Sequence, residues 1–308
     1  MLRKKLVVLG TAALCALAVY GTLIEPRWLQ FRRSRIHIRR LPPAFEGLRI
    51  ALLSDLHGGG LTPLSLIRRA AGMAMDGRPH LIALTGDFGP GLGAVLDQLD
   101  ELYAPLGVYA VPGNHDYKVG IDQWHEQVGL HPVIEDLTNR AIVHEIGDAR
   151  ICIAGVDDYY MGAPRLMLPA AEARDITILL AHSPDQAERC RREYDAVDLI
   201  VSGHTHGGQI RFPGLRAPVS SSRHPELYEE GLRRRPWTQV YTSRGIGTHT
   251  LPVRFFARPE VAILELTGRS RPLQPRRWRR RGTAIAPLAA RDAHAASRRR
   301  RRTGEPQE

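Results

Sequence analysis

Cysteine is scarce in this chain of 308 residues. Cys15, Cys152 and Cys190 stand far apart and form no CxxC pair, which leaves neither a disulfide framework nor a cysteine-rich zinc site. Leu14 occupies the place where a lipoprotein signal needs a small residue before Cys15, so lipidation there is set aside. Positive charge is missing from the middle of the chain. The whole carries +11, but residues 1–40 hold nine Lys/Arg against Glu25, a net of +8. Residues 268–308 hold thirteen Arg against Asp292, Glu305 and Glu308, a net of +10, so residues 41–267 carry −7. A nucleic-acid-binding fold normally shows its basic stripe on the folded domain, which argues against nucleic acid as a partner. Basic flanks suit an anionic membrane surface instead.

One long apolar run is present. Residues 6–24, LVVLGTAALCALAVYGTLI, run without a charge behind Arg3, Lys4 and Lys5, about the length that spans a bilayer as a helix. A cleaved signal peptide is the competing reading, since Ala16-Leu17-Ala18 fits the A-x-A pattern; the run continues six residues beyond it, which favours an uncleaved anchor. Three basic residues precede the run and six follow it by Arg40, a count that favours a cytoplasmic catalytic domain. A signal-anchor reading places that domain outside. The expected organisation is a basic N-terminus (1–5), an anchor (6–24), a basic linker with a first strand (25–44), a catalytic domain (45–267) and a disordered Arg-rich tail (268–308).

Within 45–267 short apolar runs alternate with helical stretches, the rhythm of βαβ units and a largely parallel sheet. A half-exposed first strand is expected at 35–39, a helix from Pro63 to about Asp76 with Thr62 as its N-cap, a second helix near 94–103 and a hairpin of 141–146 with 150–154 around Gly147-Asp148. Selectivity loops are expected around 117–129, 161–169 and 215–236.

Several runs deliver polar residues at their ends. The clearest is SGHTHGGQ (202–209), which follows Asp198-Leu199-Ile200-Val201 and sets His204 and His206 one residue apart between glycines. Imidazoles suit Zn, Mn, Fe and similar divalent ions. Asp55 and His57, Asp87, Asn114 and His115, and His182 likewise follow apolar strands. Each alone reads as a turn former or cap. Together they point elsewhere, because ligands in open α/β sheets gather outside the carboxyl ends of strands.

In this pattern the chain resembles the calcineurin-like metallophosphoesterase superfamily, through SDLH (54–57), GD (86–87), GNHD (113–116), AH (181–182) and GHTH (203–206) in that order. The extensions GHTHGGQ and SRGIG and the apolar N-terminus are similar to its membrane-tethered bacterial branch, which includes enzymes similar to UDP-2,3-diacylglucosamine pyrophosphatase. The resemblance implies an α/β fold, a layered β-sandwich flanked by helices with the active site at strand C-terminal ends. It implies two metal ions, one held by Asp55, His57, Asp87 and His206, the other by Asp87, Asn114, His182 and His204, with Asp87 bridging. Mixed N/O ligation without thiolate suits Mn first, then Fe or Zn. The implied reaction is hydrolysis of a phosphoester or pyrophosphate bond by metal-bound hydroxide, with no covalent enzyme intermediate.

His115 is the candidate to protonate the leaving oxygen or to stabilise charge on the phosphoryl group, with Asp116 as a candidate to orient it. Arg244, Asp158, Gln209 and His249 are candidate pocket residues; His80, His125, His131, His144 and His224 read as structural. With the anchor and basic flanks, the expected substrate is a membrane lipid or lipid-linked phosphate such as UDP-2,3-diacylglucosamine. Two alternatives share the residues: a general phosphodiesterase or nuclease, and a non-catalytic membrane adaptor with a structural metal site. Structural sites are usually single and closed, whereas seven candidate ligands around one shared carboxylate suit an open pair.

Overall fold

The chain opens with helix α1 (Leu2–Val19), which runs through a π-helical turn (Tyr20–Ile24) and a 3-10 turn (Glu25–Arg27) directly into strand β1 (Gln30–His37). The computed structural model describes residues 2–193, 197–212, 215 and 217–268; the tail beyond Gly268 lies outside the described residues. Among those described, 3–27 is the one helical stretch long and apolar enough to cross a membrane.

Ten further strands and five short helices follow before the closing strand, in the order β2 (Arg49–Leu53), α2 (Leu64–Asp76), β3 (Leu81–Thr85), α3 (Leu92–Leu96), β4 (Val108–Val111), α4 (Asn114–Gly129), β5 (Ile134–Asp136), β6 (Arg140–Ile146), β7 (Ala149–Gly155), β8 (Ile176–Leu180), α5 (Gln186–Glu193), β9 (Leu199–Ser202), α6 (Pro225–Tyr228), β10 (Gly231–Arg234) and β11 (Gln239–Thr242), closed by β12 (Glu260–Thr267). They form two six-stranded sheets, β1-β12-β2-β3-β4-β5 and β10-β11-β9-β8-β7-β6.

Side-chain alternation explains the layering, since successive residues of a strand point to opposite faces. Ile50 and Leu52 of β2, with Leu81 and Ala83 of β3, meet Ile151, Ile153, Ile178, Leu180 and Val201 of the other sheet in a central core. Their neighbours Ala51, Leu53, Ile82 and Leu84 face outward onto Leu66, Ile67 and Ala70 of α2 and Trp124 of α4. On the other side Cys152, Ala154, Leu179 and Ile200 pack on Ala187 and Cys190 of α5. Strands covered on both faces read as unbroken apolar runs, as 81–84 and 178–181 do. The layered α/β sandwich is therefore as expected, and most strand pairs are parallel, with β12 against β2, β6 against β7 and β10 against β11 running antiparallel.

Local readings differ in five places, one being the loop expected around 215–236, which holds α6 and β10 because β10 pairs with β11. The first strand starts five residues early, because it borrows its pairing from β12 in parallel register, Gln30 beside Glu260 through His37 beside Thr267; Arg32 and Arg35 pair with Glu260 and Glu265 at 3.4 and 3.7 Å. Helix α2 begins after an extended Pro63 rather than on it, and the Thr62 hydroxyl accepts from the Thr248 amide at 3.3 Å instead of capping the helix. The helix expected at 94–103 is the single turn and a half of α3. Residues 117–129 form the body of α4 rather than a loop.

Candidate metal centre and active site

Strands β2, β3 and β4 of one sheet and β8 and β9 of the other end on a common rim, and each delivers a candidate ligand there. The turns are sharp. Asp55, His57, Asp87, His204 and His206 all hold positive φ, between 46° and 72°, a conformation that non-glycine residues adopt at a cost and that clusters at functional sites. Backbone bonds lace the turns together: the Asp55 amide donates to Gly86 O at 3.0 Å, the His57 amide to Asp87 O at 2.9 Å and the Gly203 amide to His182 O at 3.0 Å. Glycine is required where two turns touch. A Cβ on Gly86, itself at φ 81°, would lie 2.6 Å from Gly113 N and 2.7 Å from His182 Nδ1.

The ligating atoms converge. Asp87 Oδ2 lies 3.5 Å from His57 Nε2 and 3.3 Å from His182 Nε2, so one carboxylate oxygen faces both halves of the site. His206 Nε2 is 3.2 Å from His57 Nε2 and 3.5 Å from Asp55 Oδ1. On the other side His182 Nε2 is 3.1 Å from both Asn114 Oδ1 and His204 Nδ1. Two groups, Asp55 with His57 and His206, and Asp55 with Asp87 and His182, can each hold a metal ion, and all five residues are buried.

Fixed tautomers show that this donor set fits cations. His182 Nδ1 donates to Thr85 O at 2.8 Å and His204 Nε2 to Ser221 O at 3.2 Å, so His182 Nε2 and His204 Nδ1 turn their free positions toward each other. Two neutral rings so arranged present lone pair to lone pair, which a positive charge relieves. Burial works against a charged His182, but Asp87, with Asp55 and Asp158, outweighs it and raises its pKa well above the ordinary value. Burial likewise opposes the Asp87 anion, yet His182 and His57 bring its pKa well below the usual range. Burial pushes Asp55 up to about 6, lowers His57 to about 4 and His204 to about 3, and with His57 and Arg254 holds His206 well below its ordinary value. The neutral rings of His57, His204 and His206 around the Asp87 anion are the forms that ligate metal, and a bound cation would take the place of the proton that Asp87 stabilises on His182.

A cavity of about 230 Å³ opens over this cluster, walled by His115, Lys118, Tyr160, Ser221 and His249 and floored by Asp87, Asn114, His204 and His206. His115 is half-buried, its amide donates to Asp87 Oδ1 at 2.8 Å, and its Nε2 lies 3.4 Å from Lys118 Nζ. Lys118 was not singled out in the sequence, although its i+3 spacing from His115 on a helix is a readable signal. Tyr160 stacks on His204 with ring centroids 5.1 Å apart.

The other candidates fall differently. His249 lines the cavity, with its ring 4.3 Å from that of His115. Gln209 stands behind it, donating to the His249 and Leu251 carbonyls at 3.0 and 3.2 Å and accepting from the His249 amide at 2.9 Å. Arg244 does not line the cavity; Glu230 holds its Nε, and Gln30 Oε1 accepts from Nη1 at 3.3 Å. Asp158 is buried and caps its own turn, accepting from the Tyr160 and Met161 amides at 2.9 and 2.7 Å. Asp116 does not orient His115. Its carboxylate accepts from the amides of Asp87, Phe88 and Gly113 at 2.8, 2.9 and 2.9 Å, tying two site turns together. His80, His125, His131, His144 and His224 each bond or pair with groups outside the site. Arg254 carried no sequence signal, yet it is fully buried behind His206, 3.4 Å from Nδ1.

This arrangement of donors at the rim of a two-sheet sandwich defines a metal-dependent phosphoester hydrolase. The chain belongs to the calcineurin-like phosphoesterase family, whose model matches residues 48–208. It is 34% identical over 257 residues to a phosphodiesterase of Escherichia coli, YaeI, covering 80% of this chain and 92% of that one. It is 32% identical over 259 residues to the uncharacterized metallophosphoesterase YkuE of Bacillus subtilis, covering 80% and 88%. A transmembrane protein with a metallophosphoesterase domain from Danio rerio is 29% identical over 280 residues, covering 84% of this chain and 62% of that one. Members of the family typically bind two divalent metals, and the donor groups here suit that number.

Proposed function

We propose that the chain hydrolyses a phosphoester or pyrophosphate bond of a membrane lipid or lipid-linked molecule, UDP-2,3-diacylglucosamine being the first to test. The observation that carries the hydrolytic part is the single Asp87 oxygen placed 3.5 Å from His57 Nε2 and 3.3 Å from His182 Nε2 beneath an open cavity. Asp55, His57, Asp87 and His206 would hold one ion, and Asp87, Asn114, His182 and His204 the other, with Mn the first choice. Such a pair supplies an activated water and charge stabilisation for an in-line displacement. The remaining work falls to the chain itself. Lys118 sets a cation at the cavity wall to neutralise non-bridging phosphate oxygens, and His115 beside it gives a proton to the leaving oxygen. Tyr160 and His249 wall the cavity and position what enters it.

The lipid part rests on the 3–27 helix, with the catalytic domain on the cytoplasmic side. Protease protection in spheroplasts reads that side directly. The test of the reaction is hydrolysis by metal-stripped protein resupplied with Mn²⁺, on UDP-2,3-diacylglucosamine, bis-p-nitrophenyl phosphate and single-stranded DNA. Metal-dependent cleavage of the lipid substrate far above the others supports the whole proposal. Cleavage of the simple diester alone removes the lipid substrate, and no cleavage at any metal loading removes the hydrolase assignment.

A further inference from the structure

The anchor helix does not hang from a linker. Its last turn is built into the wall of the site. The Arg254 amide donates to Gly21 O at 2.8 Å, and Gly21 is buried, with space for a Cβ limited by Arg254 O and Val253 Cγ1 at 3.4 Å. The Glu25 carboxylate, fully buried, accepts from the Phe256 and Ala257 amides at 3.0 and 2.6 Å. The Tyr20 ring meets Phe255 edge-on at 6.0 Å. The same short segment, 249–257, begins with the cavity residue His249 and contains Arg254, which reaches His206. Two contacts therefore separate the end of the helix from a metal-facing imidazole.

Around that helix end the surface is apolar where a soluble domain would be polar. Leu251, Phe256 and Phe212 are each about half exposed, at 52%, 50% and 49%, as are Trp28 at 51% and Leu61 at 48%. Phe255 touches both Phe212 and Phe256, at 6.0 and 4.7 Å between centroids, and a groove runs between Thr22, Arg27, Leu61 and Pro252. The Arg258 guanidinium lies 3.9 Å over the Trp28 ring, and Arg27 donates to the helix-end carbonyls of Thr22 and Leu23 at 3.1 and 3.0 Å. Tryptophan and arginine just past an apolar helix are the residues that settle at the level of lipid head groups. Thr250 and Phe256 hold φ of 61° and 54°, a strained backbone that presents the apolar side chains outward.

We propose that Trp28, Leu61, Phe212, Leu251 and Phe256 form a collar that seats in the head-group layer of the bilayer crossed by the helix, so that the cavity opens at the membrane surface. The bilayer is the partner because the collar is continuous with the helix end and carries arginines for anionic head groups. The inference rests on the anchor and lipid-substrate reading above, and its test separates the two.

The full chain in a Cys15→Ala background is reconstituted in nanodiscs of phosphatidylcholine and phosphatidylglycerol, spin-labelled at Leu251→Cys, at Phe212→Cys or, for reference, at Leu130→Cys, which is 79% exposed at the end of α4. Labels at 251 and 212 are expected to be relaxed by oxygen and shielded from an aqueous nickel chelate, and the label at 130 the reverse. Nickel accessibility at 251 and 212 equal to that at 130 overturns the collar. In activity, the double variant Leu251→Ser, Phe212→Ser is expected to lose roughly tenfold in kcat/KM on a lipid-borne phosphodiester, about 1.4 kcal/mol, while keeping full activity on bis-p-nitrophenyl phosphate. An equal loss on both substrates overturns the collar as the cause. Shielded labels without any turnover of lipid-borne diesters uphold the collar and refute the lipid substrate.

Discussion

Arg254 offers the sharpest test of how the site is held. Its guanidinium is fully buried and donates to four carbonyls, those of Gly247 (3.1 Å), Ala257 (2.7 Å), Arg244 (2.8 Å) and Gly245 (3.3 Å). These belong to the 244–257 segment that backs His206 and receives the end of the N-terminal helix. Replacing Arg254 by Leu keeps much of the volume and strands all four acceptors. At about 1 kcal/mol for each buried acceptor left without a donor, the loss is roughly 4 kcal/mol. For a domain of this size such a loss lowers the melting temperature by about 8–16 °C. A lysine is a single point donor in place of a planar fork and should recover about half of it. The assay is calorimetric melting of the metal-loaded protein in nanodiscs, with bound metal measured alongside. Because Arg254 stands behind a ligand, metal affinity should fall by about 10–100-fold even where the fold survives. A Leu variant that melts within 3 °C of the parent and retains its metal refutes the argument.

Other expectations follow from single contacts. Asp87→Asn removes the carboxylate proposed to bridge the two ions and should abolish metal-dependent hydrolysis of bis-p-nitrophenyl phosphate while circular dichroism stays unchanged; turnover at the parent rate overturns the bridging role. Asp116→Ala leaves the amides of Asp87, Phe88 and Gly113 without their acceptor and should cost about 3 kcal/mol in urea unfolding. Gly203→Ala drives a methyl group into Ser54 Oγ and Asp55 Oδ2, so metal content and activity should fall together, and a fully loaded, active variant would show that the turn relaxes. Burial, helped by Arg49, lowers the His80 pKa from 6.5 to about 4. The folded ring then binds fewer protons than the unfolded one, so its contribution is complete above pH 6.5 and disappears as pH falls toward 4. His80→Asn should flatten that arm of the urea-midpoint profile; an unchanged profile refutes the assignment.

Much of the layering was legible because strands buried on both faces leave continuous apolar runs, and because Asp55, Asp87, Asn114, His182 and His204 each follow such a run. Boundaries that depend on a distant partner were not legible. β1 begins at Gln30 because β12 pairs with it 230 residues later, and Thr62 turns from capping α2 to meet Thr248. Lys118 lay one helical turn from His115 and was readable in principle. Arg254 was not, and Gln209 was read only as a pocket residue, since their roles consist of holding backbone carbonyls and amides of segments that meet only in the folded chain.

The sequence by itself determined the chemistry: which donors exist, in what order, and that a carboxylate and imidazoles rather than thiolates would meet the metal. Each motif sits at the end of its own strand, and the assignment of these donors to metal is what the resemblance to the calcineurin-like family implies. Only the tertiary structure decided which groups face the cavity and which serve the scaffold. It turned Asp116 and Gln209 to backbone amides and carbonyls, put Arg244 in the grip of Glu230, and joined the N-terminal helix to the loop behind His206. Those outcomes depend on contacts between residues far apart in the chain, where burial forces every amide, carbonyl and charge to find a partner that no local pattern can announce.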